Sequence, residues 1–206
     1  MSEAVRYIIV ILCAYLLGSV NCSIIVSRRR FHTDIREHGS GSAGMTNSLR
    51  TLGLRWTLPV IIGDLAKGFC AVFLGGALLG DYGRLLGGLC AIAGHIFPLY
   101  FGFRGGKGVL TALSIVLMVD WRVALICFSL FLVIVAIWRY VSLGAIIAVS
   151  FVPPVMWVFH PDDGKFLVTA LALAGLIVFM HRGNIRRLLA HTEPKLTLKK
   201  GPSAKE

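Results

Sequence analysis

Two short glycine-rich segments carry hydroxyls and cations at a spacing that suits a phosphate group. The first runs Gly39-Ser40-Gly41-Ser42-Ala43-Gly44-Met45-Thr46-Asn47 and closes on Arg50; the second is Arg104-Gly105-Gly106-Lys107-Gly108. Glycine lets successive backbone N–H groups converge on one anion, and neighbouring hydroxyls and cations complete the pocket. Phosphorylated ligands are the expected chemistry. Neither segment fits the nucleotide-binding pattern G-x-x-x-x-G-K-[ST], because Lys107 is followed by Gly108 and Gly44 by Met45, which argues against nucleotide hydrolysis. A plain linker would explain the glycines and serines of the first segment, but not its closing Thr46, Asn47 and Arg50.

Three further groups belong with these segments. His181 and Asn184 follow the last apolar run at i, i+3, and on a continuing helix they share a face; a stop-transfer cluster that only fixes topology is the competing reading. Asp64 and Lys67, also at i, i+3, lie inside an apolar run, where an ionisable side chain is costly. They either lock one helix to a polar neighbour or orient the phosphate loops from beneath. His95, just before Pro98, either bonds a facing carbonyl or braces the pocket without touching a ligand. The chain has no G-x-S-x-G, no H-E-x-x-H and no Cys/His metal spacing, so neither covalent nor metal chemistry has support and no cofactor is expected. The five cysteines form no C-x-x-C pair and read as small buried hydrophobes.

The elements that must position these groups are membrane helices. The 206 residues are 56% hydrophobic and 15% charged, with a mean hydropathy of +0.79, a combination outside the range of soluble domains. The expected fold is all-α and polytopic, with about seven transmembrane helices near residues 5–26, 57–79, 84–103, 109–119, 121–138, 141–159 and 165–180. The fourth is shorter than the roughly 20 residues a spanning helix needs, so a re-entrant segment and six spans stay open. Residues 1–190 form one transmembrane domain in this reading, and 191–206 a polar tail. The strong cluster Arg28–Arg30 follows the first apolar run instead of preceding it, unlike a cleaved signal peptide.

Charge sets the orientation. With the N-terminus outside and the C-terminus cytoplasmic, seven spans put 16 of the 21 Lys and Arg on the cytoplasmic side; outside are only Arg6, Arg84, Arg122 and Lys165, and Lys67 lies within a span. The net charge of +11 is thus explained by topology and anionic headgroups, not by nucleic acid. Small residues at four-residue spacing, Gly76 and Gly80, then Gly83, Gly87 and Ala91, suit close helix packing. The outer loops are short and read as chemically empty.

Taken in order, these motifs resemble the integral-membrane, acyl-phosphate-dependent glycerol-3-phosphate acyltransferases of bacterial phospholipid synthesis. The resemblance runs through Gly18-Ser19, Gly39 to Arg50, Asp64 to Gly68, Gly94 to Pro98, Phe103 to Thr111, Ser142 to Gly144 and His181 to Pro194. One departure is Ser42, where the family usually has Asn. The H-x-x-x-x-D pattern of thioester-using acyltransferases is absent; His32 with Glu37 comes nearest.

The resemblance implies an acyl group passing from acyl phosphate to the 1-hydroxyl of glycerol 3-phosphate, with lysophosphatidic acid and phosphate as products, at the cytoplasmic rim of a bacterial inner membrane. It implies that Ser40, Gly41, Ser42, Gly44 and Thr46 hold the acyl-phosphate headgroup. Arg50, Lys107, Ser142, His181 and Asn184 would hold glycerol 3-phosphate. His181, Asn184 and Ser40 are the catalytic candidates, with Asp64, Lys67 and His95 as support; the proton goes to His181 or to a substrate phosphate. Membrane lipids and the soluble enzyme that forms acyl phosphate are the candidate partners. A transporter of a phosphorylated anion is the alternative, although alternating access favours a midplane site and most polar groups here cluster at one face.

Overall fold

The computed structural model describes residues 1–196; Thr197 onward, including Lys199, Lys200, Pro202 and Lys205 of the expected tail, lie outside the described residues. No β-strand occurs among the described residues. The helices are α1 (Glu3–Ser19), α2 (Cys22–Phe31), α3 (Met45–Thr51), α4 (Leu54–Ile96), α5 (Val109–Val119), α6 (Trp121–Trp138), α7 (Val141–Phe159), α8 (Gly164–Met180) and α9 (Arg182–Leu189). Four stretches are long and apolar enough to cross a membrane: Glu3–Phe31, Leu54–Phe101, Trp121–Trp138 and Val141–Phe159. Gly164–Met180 with Arg182–Leu189, bent by 58°, makes a fifth when taken as one. The chain falls into two compact units, Met1–Ser114 and a second that begins at Ile115.

In the first unit the apolar run of α1 is cut at Val20. Asn21, fully buried, takes a non-helical conformation and accepts the N–H of Ile24 to start α2, as an N-cap does. The expected span of 5–26 is therefore two helices. α4 is a hairpin of two arms, 54–79 and 81–96, because Gly80 adopts φ 61°, ψ −143°, a left-handed conformation that glycine supplies without steric cost. Gly75 lies against Gly83, and a Cβ on Gly87 would stand 2.5 Å from the carbonyl of Ala71, so the arms run antiparallel with backbones touching. Gly83, Gly87 and Ala91 are packing residues as expected; Gly80 instead makes the turn. The second arm ends at Ile96, not at 103, because the residue before a proline leaves the helical region. Pro98 leads instead into a 3₁₀ turn, Leu99–Phe101.

In the second unit α6, α7 and α8 lie next to one another in chain order. Their caps, Asp120 for α6 and Asp163 for α8, accept N–H groups of Arg122 and Lys165. The helix ends expected to lie outside carry a polar cluster. Buried Asp120 accepts from Arg122 Nη2 at 2.7 Å and is 2.9 Å from His160 Nε2; His160 stacks on Phe166 and Arg122 covers Phe159 at 4.2 Å. The cysteine expectation also changes: only Cys127 is buried, while Cys13 and Cys70 are exposed on apolar helices.

The Arg122 hydrogen bond, against the opposing effect of burial and with help from His160, holds the Asp120 carboxyl down at about 2. A depressed carboxylate stabilises the fold above its unfolded value near 4 and loses that contribution as pH falls through 2. Asp120→Asn is expected to cost about 2 kcal/mol at pH 7, with the difference from wild type shrinking between pH 4 and 2. Thermal unfolding in detergent across that window checks it. Arg122, through this clamp, is a structural residue.

Candidate active site

The first glycine segment is shaped by the amide of Asn47. Its Oδ1 accepts the N–H of Ser40 at 2.9 Å, while Nδ2 donates to the carbonyls of Ile35 and His38 at 3.1 and 2.9 Å. Three backbone groups are thereby satisfied by one buried side chain, and the chain between them is forced into a tight arch. Gly39 and Gly41 take φ of 59° and 72° to close it. Asn21 Nδ2 fastens the arch from below by donating to the Ala43 carbonyl at 3.2 Å. Under the arch sits an apolar plug of Ile24, Ile35, Ala43 and Leu52, flanked by Phe31, Trp56 and Phe101.

Arg36 joins this arch to the second glycine segment. Its Nη1 donates to the carbonyls of Phe101 and Arg104 at 2.7 and 2.9 Å, while Nε and Nη2 grip Asp34. The Arg36 hydrogen bond, stronger than the opposing desolvation, holds the Asp34 carboxyl well below the usual carboxylate range. A charged, planar fork suits such a bridge, since its donors leave in fixed directions. Gly106 meets the other side: a Cβ there would strike His95 Nε2 and stand 2.6 Å from the Ala43 carbonyl. The two glycine segments are thus brought together, with Ser40 and Gly41 exposed and Ser42, Gly44, Thr46, Arg50 and Lys107 half-buried.

Beneath Gly106 the buried Asp64, Lys67 and His95 form one cluster. Lys67 Nζ donates to the carbonyl of Val20 at 2.9 Å and to His95 Nδ1 at 2.7 Å, and lies 2.8 Å from Asp64 Oδ1. Among the described residues no directed donor meets Asp64 Oδ1, and Lys67 holds it as an ion pair. An ammonium can only donate, so His95 accepts at Nδ1 and carries its proton on Nε2, toward Gly106. The cluster also reaches α5, where Thr111 Oγ1 donates to the Asp64 carbonyl at 3.3 Å.

In the second unit a different group assembles around Glu193. Its Oε1 accepts from Ser142 Oγ at 2.7 Å and Asn184 Nδ2 at 2.6 Å, and its Oε2 from Arg187 Nε at 2.7 Å. Burial pushes the Glu193 carboxyl up, but these three donors outweigh it and hold it below its ordinary value. His181 stands at the bend between α8 and α9, not on a continuing helix, and its Nδ1 donates to the Ile177 carbonyl at 2.8 Å. A neutral ring in that tautomer keeps its lone pair on Nε2.

The expected site residues therefore form two assemblies: Ser40 to Arg50 with Lys107, Asp64, Lys67 and His95 in one unit, and Ser142, His181 and Asn184 in the other. Asn21, Arg36, Asn47 and Glu193 were not among the expected site residues. Asn47 and Glu193 lie inside the motifs quoted above, and Arg36 was counted only as a topological charge. The segment 191–196, expected as tail, is anchored: Leu196 N–H donates to the Arg139 carbonyl at 2.6 Å and Arg139 Nη2 to the Leu196 carbonyl at 3.2 Å. Among the described residues no cluster could hold a metal ion.

Comparison with known proteins shows the family. The model of the family described as glycerol-3-phosphate acyltransferase matches residues 8–191. A glycerol-3-phosphate acyltransferase of Clostridioides difficile is 43% identical over 96% of this chain and 99% of the relative. That of Geobacillus kaustophilus is 40% identical over 91% and 95%. Crystal structures of PlsY (YgiH), an integral membrane glycerol 3-phosphate acyltransferase, share the fold. Its glycerol 3-phosphate form superposes with a TM-score of 0.87 at 35% identity, covering 93% of this chain and 96% of that one. Its lysophosphatidic acid form gives 0.83 at 34%, with the same coverage. With a family model spanning both glycine segments and the His181 bend, the chain belongs to the glycerol-3-phosphate acyltransferase family.

Proposed function

We propose that this protein transfers a fatty acyl group from acyl phosphate to the 1-hydroxyl of glycerol 3-phosphate, giving lysophosphatidic acid and phosphate. The observation that carries this reading is the fold shared with an acyltransferase solved in forms named for glycerol 3-phosphate and lysophosphatidic acid. The interlocked glycine segments support it from the chain's own geometry. In this reading Ser40, Gly41, Ser42, Gly44 and Thr46 hold the acyl-phosphate headgroup, and Arg50, Lys107, Ser142, His181 and Asn184 hold glycerol 3-phosphate and aim its hydroxyl. Asp64, Lys67 and His95 support the loops.

The hydroxyl oxygen attacks the acyl carbonyl carbon, a carbon–oxygen bond forms, the anhydride bond to phosphate breaks, and the hydroxyl proton passes to a base. Acyl phosphate is a mixed anhydride with a good leaving group, so positioning and charge stabilisation supply the rate without a covalent intermediate. His181, whose Nδ1 faces the Ile177 carbonyl, is one candidate base through Nε2; a phosphate oxygen of either substrate is the other. Residues 1–190 act as one membrane domain of seven spans in a bacterial inner membrane, N-terminus outside, with the site on the cytoplasmic face. The bias of 16 among 21 basic residues supports that orientation. The soluble enzyme that makes acyl phosphate is the partner this scheme requires.

Purified protein given palmitoyl phosphate is expected to release phosphate only when glycerol 3-phosphate is present, with lysophosphatidic acid extracted as product and no thioester needed. Saturable glycerol 3-phosphate uptake into vesicles without product would overturn the enzyme reading in favour of a transporter.

A further inference from the structure

Trp56, in the first turn of α4, has two arginines over its ring. The Arg30 guanidinium lies 5.0 Å from its ring centre and that of Arg55 5.5 Å, while Phe31 meets the ring edge-on at 5.9 Å. Of the neighbouring cations, Arg28 and Arg36 are committed, since both pair with Asp34 at 2.8 Å. Among the described residues no carboxylate forms an ion pair with Arg30 or Arg55. Both arginines are exposed. A guanidinium stacked on an aromatic face keeps its N–H donors in its own plane, so stacking fixes the fork without consuming it.

The depth of this pair is set by α4 itself. Leu54, Leu58 and Ile62, at i, i+4 and i+8, are 64%, 50% and 66% exposed, an apolar stripe suited to lipid on a helix long and apolar enough to cross a membrane. Arg55 and Trp56 begin that same helix, which puts the two guanidinium groups at the headgroup level above a wall for acyl chains.

We propose that Arg30, Arg55 and Trp56 form a binding site for the headgroup of an anionic phospholipid, with its acyl chains along Leu54 and Leu58. Two unneutralised cations on one ring take a phosphodiester of net negative charge. A zwitterionic headgroup brings an ammonium group for which the site has no acidic partner, and a free phosphate gains nothing from the apolar stripe.

Native mass spectrometry of the full chain, released from detergent with phosphatidylglycerol or phosphatidylcholine, tests the site. Wild type is expected to retain phosphatidylglycerol selectively, and the affinity to fall about five-fold for each arginine removed in Arg55→Gln and in Arg30→Gln with Arg55→Gln. Phosphatidylcholine binding stays unchanged, and Arg6→Gln, at the start of α1, behaves as wild type. The double variant is expected to keep wild-type acyl transfer in detergent, which shows that it is folded. Undiminished phosphatidylglycerol retention in the double variant, equal retention of the two lipids by wild type, or displacement of the lipid by millimolar inorganic phosphate would each overturn the proposal.

Discussion

Gly106→Ala is expected to lower acyl transfer by about 100-fold while leaving the helices folded. The added Cβ meets two groups that cannot yield. One is the backbone carbonyl of Ala43, 2.6 Å away and held by Asn21; the other is the imidazole of His95, held at Nδ1 by Lys67. Relief must come from separating the two glycine segments by roughly an ångström, a displacement that in a positioning site costs on the order of 100-fold. Arg36 resists that separation through its bonds to Phe101 and Arg104, so the strain falls on the loops that hold substrate. Gly175→Ala on α8 is the control: its Cβ would meet nothing within 4 Å. Phosphate release from the purified variants decides it, and a Gly106→Ala enzyme within a few-fold of wild type would show that the segments do not act as one pocket.

The proposal that these segments hold an anion rests on what was legible in the sequence, since glycine, hydroxyl and cation types suit anion binding where they cluster. The bonds that shape and join the segments were not legible, because Asn47, Asn21 and Arg36 act on backbone groups far along the chain; Arg36 reaches Arg104 across 68 residues. The same division holds for the helices. Residues 121–138, 141–159 and 165–180 were readable almost to the residue, since each apolar run is bracketed by charged, aromatic or capping residues. Breaks inside continuous apolar runs were not readable. Asn21 looks like one polar residue in a span until its amide is seen capping α2 and holding Ala43. Gly80 looks like one more packing glycine until its positive φ folds α4 on itself. Glu193 was hidden for a related reason: Ser142, one of its donors, is 51 residues away in sequence.

The His181 substitution separates binding from chemistry. Nδ1 donates to the Ile177 carbonyl at the bend between α8 and α9, so in the proposed step Nε2 is the nitrogen that takes the proton. Asn184, one turn on, is tied to Glu193, and Glu193 to Ser142 and Arg187, so four polar side chains brace the frame beside His181. His181→Gln should therefore fold, and a general base of this kind typically contributes 10²–10⁴-fold. We expect His181→Gln to lower kcat by about 1,000-fold with KM for glycerol 3-phosphate little changed. If KM rises instead and kcat stays near wild type, His181 holds substrate and the proton leaves on a phosphate oxygen. Steady-state kinetics at saturating palmitoyl phosphate, with thermal unfolding of the same preparation, distinguishes the two.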